Sequence, residues 1–403
     1  MEKEIPGIPS TPQKWHKLAQ KHGVESTSIQ DLETLNSASK IEEAQFLALR
    51  ILWKRDAASN VDFHRDYSIR YRAEDLKDLN WNKHWVAYVQ EVAKGLKGNA
   101  DLGTFDTLYD FQREIHYLEP GLQETKKVFF NVMTRLQRKA MESNHFSPST
   151  PSRGRRVYIS EAESVAEALN DMMVDVNVGY ETPFKTPKSV GDKSVIESVS
   201  PATTEEAKLM PLVKDEQTVN TALILLLRGL CLRMPGLAEA RWSIERKAFH
   251  FRQHKSSRKE SLYEARTDGH LSLITENISR SLSILEVKAQ IRKEAKPWMQ
   301  ESAQMAAWIY DEPCKGNDSI FRRCMISQDR HEIYLIIATY DKDYIAYLRG
   351  EWEQGDFDPF LIMHEIGPFY PTAERHMARL GRIIAALSRQ LVNQAKNNRP
   401  CHW

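Results

Sequence analysis

Cysteine is scarce in this chain: Cys231, Cys314, Cys324 and Cys401 are the four among 403 residues. They are too few and too scattered for a disulfide framework. The spacings of Cys314, Cys324 and His331 match no zinc pattern, so buried or surface thiols are the expectation. Long apolar runs are also missing. The most apolar stretch, Ala222 to Leu227, is closed by Arg228, far short of a membrane span. The opening Met1-Glu2-Lys3-Glu4-Ile5-Pro6 carries acids and no apolar core, so no signal peptide is expected. Charge of one sign is lacking as well, since 56 Lys and Arg oppose 55 Asp and Glu. Net charge thus gives no general argument for nucleic acid or an anionic membrane, and any such surface must be local. The expectation is an intracellular protein, nuclear or cytoplasmic, neither secreted nor held at a membrane.

What is present suits a globular chain. The hydrophobic share is 41%, and the length allows two or three domains with a sizeable core. Residues 1–146 read as a helical N-terminal region. A helix is expected from Ser39, where Ser39 and Glu42 have capping-box spacing and Ile41, Ala44, Leu47 and Ile51 share a face. Further helical pattern covers 85–93 and 123–141. Residues 147–205 read as a linker or insertion: a Ser-Pro, Thr-Pro and arginine-rich loop at 147–156, a short acidic helix at 160–173, and a polar segment at 183–201. That first loop fits phosphorylation, nuclear import or a plain solvated linker.

The composition changes after residue 205. A long helical pattern spans 205–232, apolar enough around Leu223–Leu227 to be buried on most of its circumference. Strands are expected at 241–251, 261–274 and 281–289, a helix at 297–310, strands at 332–340 and 344–349, and a final helix at 373–393. This is an α+β (or α/β) chain with a mixed β-sheet flanked by helices. Its core spans 206–350, and 351–403 form a C-terminal helical extension.

One constellation carries chemistry. Glu286-Val287-Lys288 follows Ile284 and Leu285 and precedes Ala289. In a strand, alternation points Glu286 and Lys288 to one side and Leu285 and Val287 to the other. Two charges on a central strand are costly unless something uses them. Asp268 and Glu286 stand symmetrically about Asn277, so a hairpin centred there sets them opposite each other, with Cβ atoms about 5 Å apart. Carboxylates that close repel unless they share a divalent cation, and oxygen ligands suit Mg²⁺ or Mn²⁺. Gln300 and Gln304 follow on one helix face. The plain alternative stays open: a turn at Asp268-Gly269, an exposed Glu286 and Lys288 pair, and solvent-facing glutamines.

An aspartate ending one strand, Glu-x-Lys on the next and a helix bearing glutamine together resemble the PD-(D/E)XK nuclease superfamily. The phrases at 299–308 and 327–334 are similar to uncharacterised fungal proteins assigned to that superfamily. The likeness covers roughly 210–350 and departs from the nominal motif at Thr267, which stands where proline would be. It implies a Mg²⁺-dependent nuclease, or a catalytically inactive protein of that fold acting as a binding or regulatory module. Asp268 and Glu286 would hold the metal, and Lys288 would orient or deprotonate the attacking water and stabilise charge on the phosphate. Glu216, with Asp215 close behind, would add a ligand, and Gln300 or Gln304 would meet the active strand. The basic loop carrying Lys255, Arg258 and Lys259 fits phosphate contacts or a solvated hairpin loop equally. The partners implied are DNA or RNA, and a protein held by the N-terminal region.

Overall fold

Two apolar layers, one on each face of a seven-stranded sheet, account for most of the architecture. The computed structural model describes residues 5–32, 35–95, 101–116, 215–232, 234–253, 261–274, 280–314, 319–353 and 358–397, which all belong to one compact unit. The readings made for 123–141, 147–156, 160–173 and 183–201, and for Lys255, Arg258 and Lys259, lie outside the described residues.

The N-terminal part forms α1 (Pro12–Lys21), α2 (Glu43–Ala48), β1 (Ile51–Asp56), α3 (Phe63–Tyr67), α4 (Ala73–Trp81), α5 (Lys83–Ala93) and α6 (Asp106–His116). The expected capping box does not form. Ser39 sits in a 3-10 turn, and the Glu42 carboxylate instead accepts from Asn36 Nδ2 at 3.2 Å. Ile51 is not on a helix face but opens a strand. Arg50, with φ of 50°, breaks the helical path, and Ile51-Leu52-Trp53 suits a pleated surface.

The remainder runs α7 (Glu216–Cys231), β2 (Ala240–Ser243), β3 (Ala248–Arg252), β4 (Ser261–Arg266), β5 (Gly269–Leu273), β6 (Ser281–Lys288), α8 (Arg292–Ala295), α9 (Trp298–Asp311), β7 (Phe321–Asp329), β8 (Glu332–Tyr340), α10 (Lys342–Leu348), β9 (Leu361–Phe369) and α11 (Glu374–Lys396). The main sheet has the order β1-β9-β8-β7-β6-β5-β2, and β3 and β4 pair separately. The β1/β9 and β6/β7 pairs are parallel and the others antiparallel. The fold is therefore α+β with a mixed sheet.

Three expectations need correction. The strands anticipated at 241–251 and 261–274 each break in two, because the chain passes between the two sheets at those points. Residues 344–349 are not a strand. Asp341 Oδ1 accepts from Tyr344 N at 2.9 Å and starts α10, whose Tyr344, Ile345, Tyr347 and Leu348 are buried at helical spacing. Finally, β7 and β9 join the sheet without having been anticipated.

Helix α7 is capped by Asp215, whose Oδ1 accepts from Gln217 N at 2.9 Å. Its Leu223, Leu226 and Leu227 pack with Leu271, Leu285 and Val287 of the sheet and with Ile383 and Ile384 of α11. On the other face, α9 packs with Ile284, Met325, Ile336 and Met363. Ala303, Ala306 and Ala307 of α9 are wholly buried, and such small side chains let the helix lie close to its neighbours.

At the turn between β7 and β8, the His331 ring lies 5.5 Å from His116 and 6.1 Å from Tyr370, which in turn stacks on His376. Burial, then His116 and Arg330, hold His331 down to about 4. Burial, then Lys54 and Arg322, do the same to His364 on β9. Both rings stay neutral in the folded state while an unfolded histidine protonates near 6.5. The unfolded chain therefore binds more protons between those values. Stability is complete above about pH 6.5 and declines as pH falls towards 4. Melting followed by circular dichroism should show the midpoint dropping by several degrees from pH 7 to pH 5. His331→Gln and His364→Gln should each flatten that slope.

Candidate active site

The chain changes sheets at Thr267-Asp268, and that corner stands against the C-terminal end of β6. The β5/β6 ladder pairs Gly269 with Leu285, so its register carries Asp268 opposite Glu286. Asp268 N donates to Leu285 O at 3.0 Å, and Val287 N donates to Asp268 Oδ2 at 3.0 Å. From α7, Asn220 Nδ2 donates to the Asp268 carbonyl at 3.0 Å. The other carboxylate oxygen of Asp268 lies 3.3 Å from the guanidinium of Arg246, a half-exposed side chain.

Glu286 is the centre of the arrangement and is only 1% exposed. Its Oε1 accepts from Lys288 Nζ at 2.6 Å and from Gln300 Nε2 at 2.5 Å. Its Oε2 accepts from Gln304 Nε2 at 2.6 Å, and the same amide reaches Arg266 O at 2.8 Å. One turn of α9 separates the two glutamines, so a single helix face clasps both carboxylate oxygens. Glu216, in the first turn of α7, brings Oε1 to 3.9 Å from Lys288 Nζ. Asp215 is spent on the helix cap, so Glu216 is the acid that reaches the site. Asp268, Glu286, Lys288, Gln300, Gln304 and Glu216 are thus brought together from β6, α7, α9 and the β4–β5 corner.

The electrostatics are those of carboxyl groups crowded together in a buried place. Burial, reinforced by Asp268, pushes the Glu286 carboxyl up to about 8 against the pull of Lys288. Burial and Asp268 also raise Glu216, with Lys288 opposing. Burial works against the Lys288 ammonium, but Glu286, Glu216 and Asp268 outweigh it and hold its pKa above the ordinary lysine range. Lys288 is therefore a fixed cation and a poor proton acceptor, which disfavours water deprotonation as its role.

Whether these residues suit a divalent ion follows from their chemistry. Three crowded carboxyl groups, opposed by the Lys288 ammonium and the half-exposed Arg246, offer the hard oxygen donors that suit Mg²⁺ or Mn²⁺. Against this, nitrogen donors already occupy both Glu286 oxygens. Among the described residues, no three His, Cys, Asp or Glu side chains form a ready metal cluster. The donor set fits in kind and charge, and Glu286 would have to exchange a nitrogen partner for an ion. Cys314 and Cys324 do not meet, since they pack in the cores on opposite sheet faces; Cys324 is the expected buried thiol, whereas Cys314 is disulfide-bonded and not a thiol.

Sequence reasoning missed the layer beside this site. Arg292, 1% exposed, donates from Nε to Glu365 at 2.7 Å and from Nη1 to Asp329 at 2.6 Å, Glu301 at 3.0 Å and Ser327 at 3.3 Å. Nη2 adds a second bond to Glu301. The Tyr334 ring covers the guanidinium, 4.6 Å from its centroid. Ser327 is the β7 partner of Glu286, so this hub abuts the site. Its local signal was one charge, Glu301, among the small and apolar residues of α9; Arg292 itself lies in a polar run that looks solvated.

The sequence matches no family model and no curated protein. Among the described residues, no helix is long and apolar enough to cross a membrane.

Proposed function

We propose that this protein is a metal-dependent nuclease with a PD-(D/E)XK-type core, hydrolysing phosphodiester bonds of DNA or RNA. The observation that supports the reading is the convergence on Glu286 of Asp268, Lys288, Gln300, Gln304 and Glu216, which are scattered in sequence. Asp268 and Glu286, with Glu216, would hold Mg²⁺ or Mn²⁺. The chemistry such an ion supplies when bound is activation of water and neutralisation of phosphate charge. Lys288, kept protonated by its acidic neighbours, donates to the oxygen on which charge develops. Gln300 and Gln304 orient the Glu286 carboxylate. Occupation of both Glu286 oxygens by nitrogen donors favours a second reading, a catalytically silent relative that binds nucleic acid or a protein.

The two readings part in one experiment. Calorimetry with Mn²⁺, run beside Mg²⁺-dependent cleavage of mixed DNA and RNA, should show binding of the ion and cleavage abolished by EDTA. Absence of both would leave the silent reading standing.

A further inference from the structure

Arg246 is a charged group at the candidate site that the proposed chemistry leaves unused. It lies on the connection from β2 to β3, where the chain leaves the main sheet, beside the Thr267-Asp268 corner by which it returns. The two crossings are fastened to each other. Thr267 N and Oγ1 donate to the Lys247 carbonyl at 3.0 and 3.4 Å. Glu245 N donates to Ser243 Oγ at 3.1 Å, which turns the chain at the end of β2. A Cβ at position 269 would come 2.5 Å from the Ser243 carbonyl oxygen, so Gly269 lets β5 start this close to the end of β2. The backbone on either side of Arg246 is thus held against the corner that carries Asp268, while its side chain is 53% exposed.

The guanidinium meets Asp268 at one particular oxygen. Asp268 Oδ2 already accepts from Val287 N, and Oδ1 is the oxygen that faces Arg246 Nη2, at 3.3 Å. The pair is partly solvated and lacks the two parallel bonds by which arginine and a carboxylate lock together. Exposed pairs of this kind hold weakly and are open to exchange. The same charge reaches a second acid: burial raises the Glu216 carboxyl, and Arg246, after Lys288, is among the cations that oppose it. Arg246 therefore attends Asp268 and Glu216 from the solvent side, while the less exposed Lys288 faces the acids from within. Any cation that Asp268 takes at Oδ1 meets Arg246 there. A guanidinium released at that point, on a long stem in solvent, matches the paired oxygens of a phosphodiester.

We propose that Arg246 is an exchangeable cation of this site: in the free chain it covers the Asp268 carboxylate, and once Asp268 holds a divalent ion it grips a phosphate of the nucleic-acid strand. This role rests on the nuclease reading of the Glu286 site and adds a substrate contact to it. Calorimetry with Mn²⁺ and steady-state cleavage of a DNA and an RNA oligonucleotide in Mg²⁺ test it, on the unmodified full chain, Arg246→Gln and Arg246→Lys. Arg246→Gln should bind Mn²⁺ about two- to fivefold more tightly, the worth of an exposed competing pair. It should also raise KM about tenfold or more with a smaller change in kcat, as loss of a charge-assisted contact made before the transition state does. Arg246→Lys should return the Mn²⁺ affinity to that of the unmodified chain and recover only part of KM, because lysine keeps the charge without the fork. A residue that merely braced the fold would move the melting midpoint and neither of these readouts. Should Arg246→Gln fail to fold, KM in Arg246→Lys decides the matter, an unchanged value overturning the proposal. With the unmodified chain active, Mn²⁺ affinity or KM unchanged in Arg246→Gln would overturn this role alone. An unmodified chain that takes up no Mn²⁺ or cleaves neither oligonucleotide would overturn the nuclease reading, and this role with it.

Discussion

Arg292→Met is expected to destabilise the protein by roughly 3–5 kcal/mol, the usual cost of removing one partner from a buried ionic cluster. One guanidinium serves Glu301, Asp329 and Glu365 at once, and all four groups are buried. The charges nearly balance. Burial alone would raise Glu365, but Arg292 and Arg55 bring it below the ordinary glutamate range. Burial pushes Asp329 the other way, to about 7, despite Arg292. Two arginines therefore face three acids, of which Glu365 is held as a carboxylate and Asp329 is the one in surplus. Methionine fills similar space and leaves those carboxylates without their shared cation. Urea denaturation at pH 7 should show the loss, and the gap to the unmodified protein should narrow on acidification as the orphaned acids protonate. Asp329→Asn should cost far less than Glu365→Gln; equal costs would contradict this division of charge.

Glu286→Gln is expected to remove divalent-ion binding and cleavage together, if the proposed function holds. Lys288→Met should spare most of the Mn²⁺ affinity and lower turnover by about 10²–10³-fold, as loss of a donor to a developing oxyanion does. The stability of Glu286→Gln should run the opposite way from its activity. Burial and Asp268 hold the Glu286 carboxyl near 8, so its ionised form is the strained one. A neutral amide removes that strain and should leave the melting midpoint unchanged or raised, a separation of stability from function expected at such sites. A stable Glu286→Gln protein that still binds Mn²⁺ would show that the ion is held elsewhere.

The legible part of the site was the local part. The spacing of Asp268 and Glu286 about Asn277 encodes the hairpin register, and the i, i+4 spacing of Gln300 and Gln304 encodes a shared helix face. Both are properties of one element or of two joined by a short connection. The Arg292 hub was not legible because its partners come from distant positions, with Glu365 73 residues away. The break at Thr267-Asp268 was hidden for another reason: both halves of the run are strand-like, and only the existence of two sheets separates them. Likewise, Tyr344 to Arg349 has the aromatic and β-branched residues of a strand, and the Asp341 cap decides the matter in favour of helix.

Strand β1 has consequences for how this chain is made. Its partner in the sheet is β9, and the contact between Arg55 and Glu365 spans 310 residues. Trp53, on the same strand, waits for Ser302 to accept its indole N–H. At synthesis rates of about 5–20 residues per second, the ribosome needs roughly 15–60 s to lay down that interval. Throughout it, a strand that opens with Ile51-Leu52-Trp53 and ends up at a sheet edge has no native strand to pair with. Such a strand is a ready template for wrong pairing, between nascent chains or within one. A protein whose strand at 51–56 meets its sheet partner only after 361–369 has been made is therefore one whose yield depends on what shelters that strand while the remainder is still being translated.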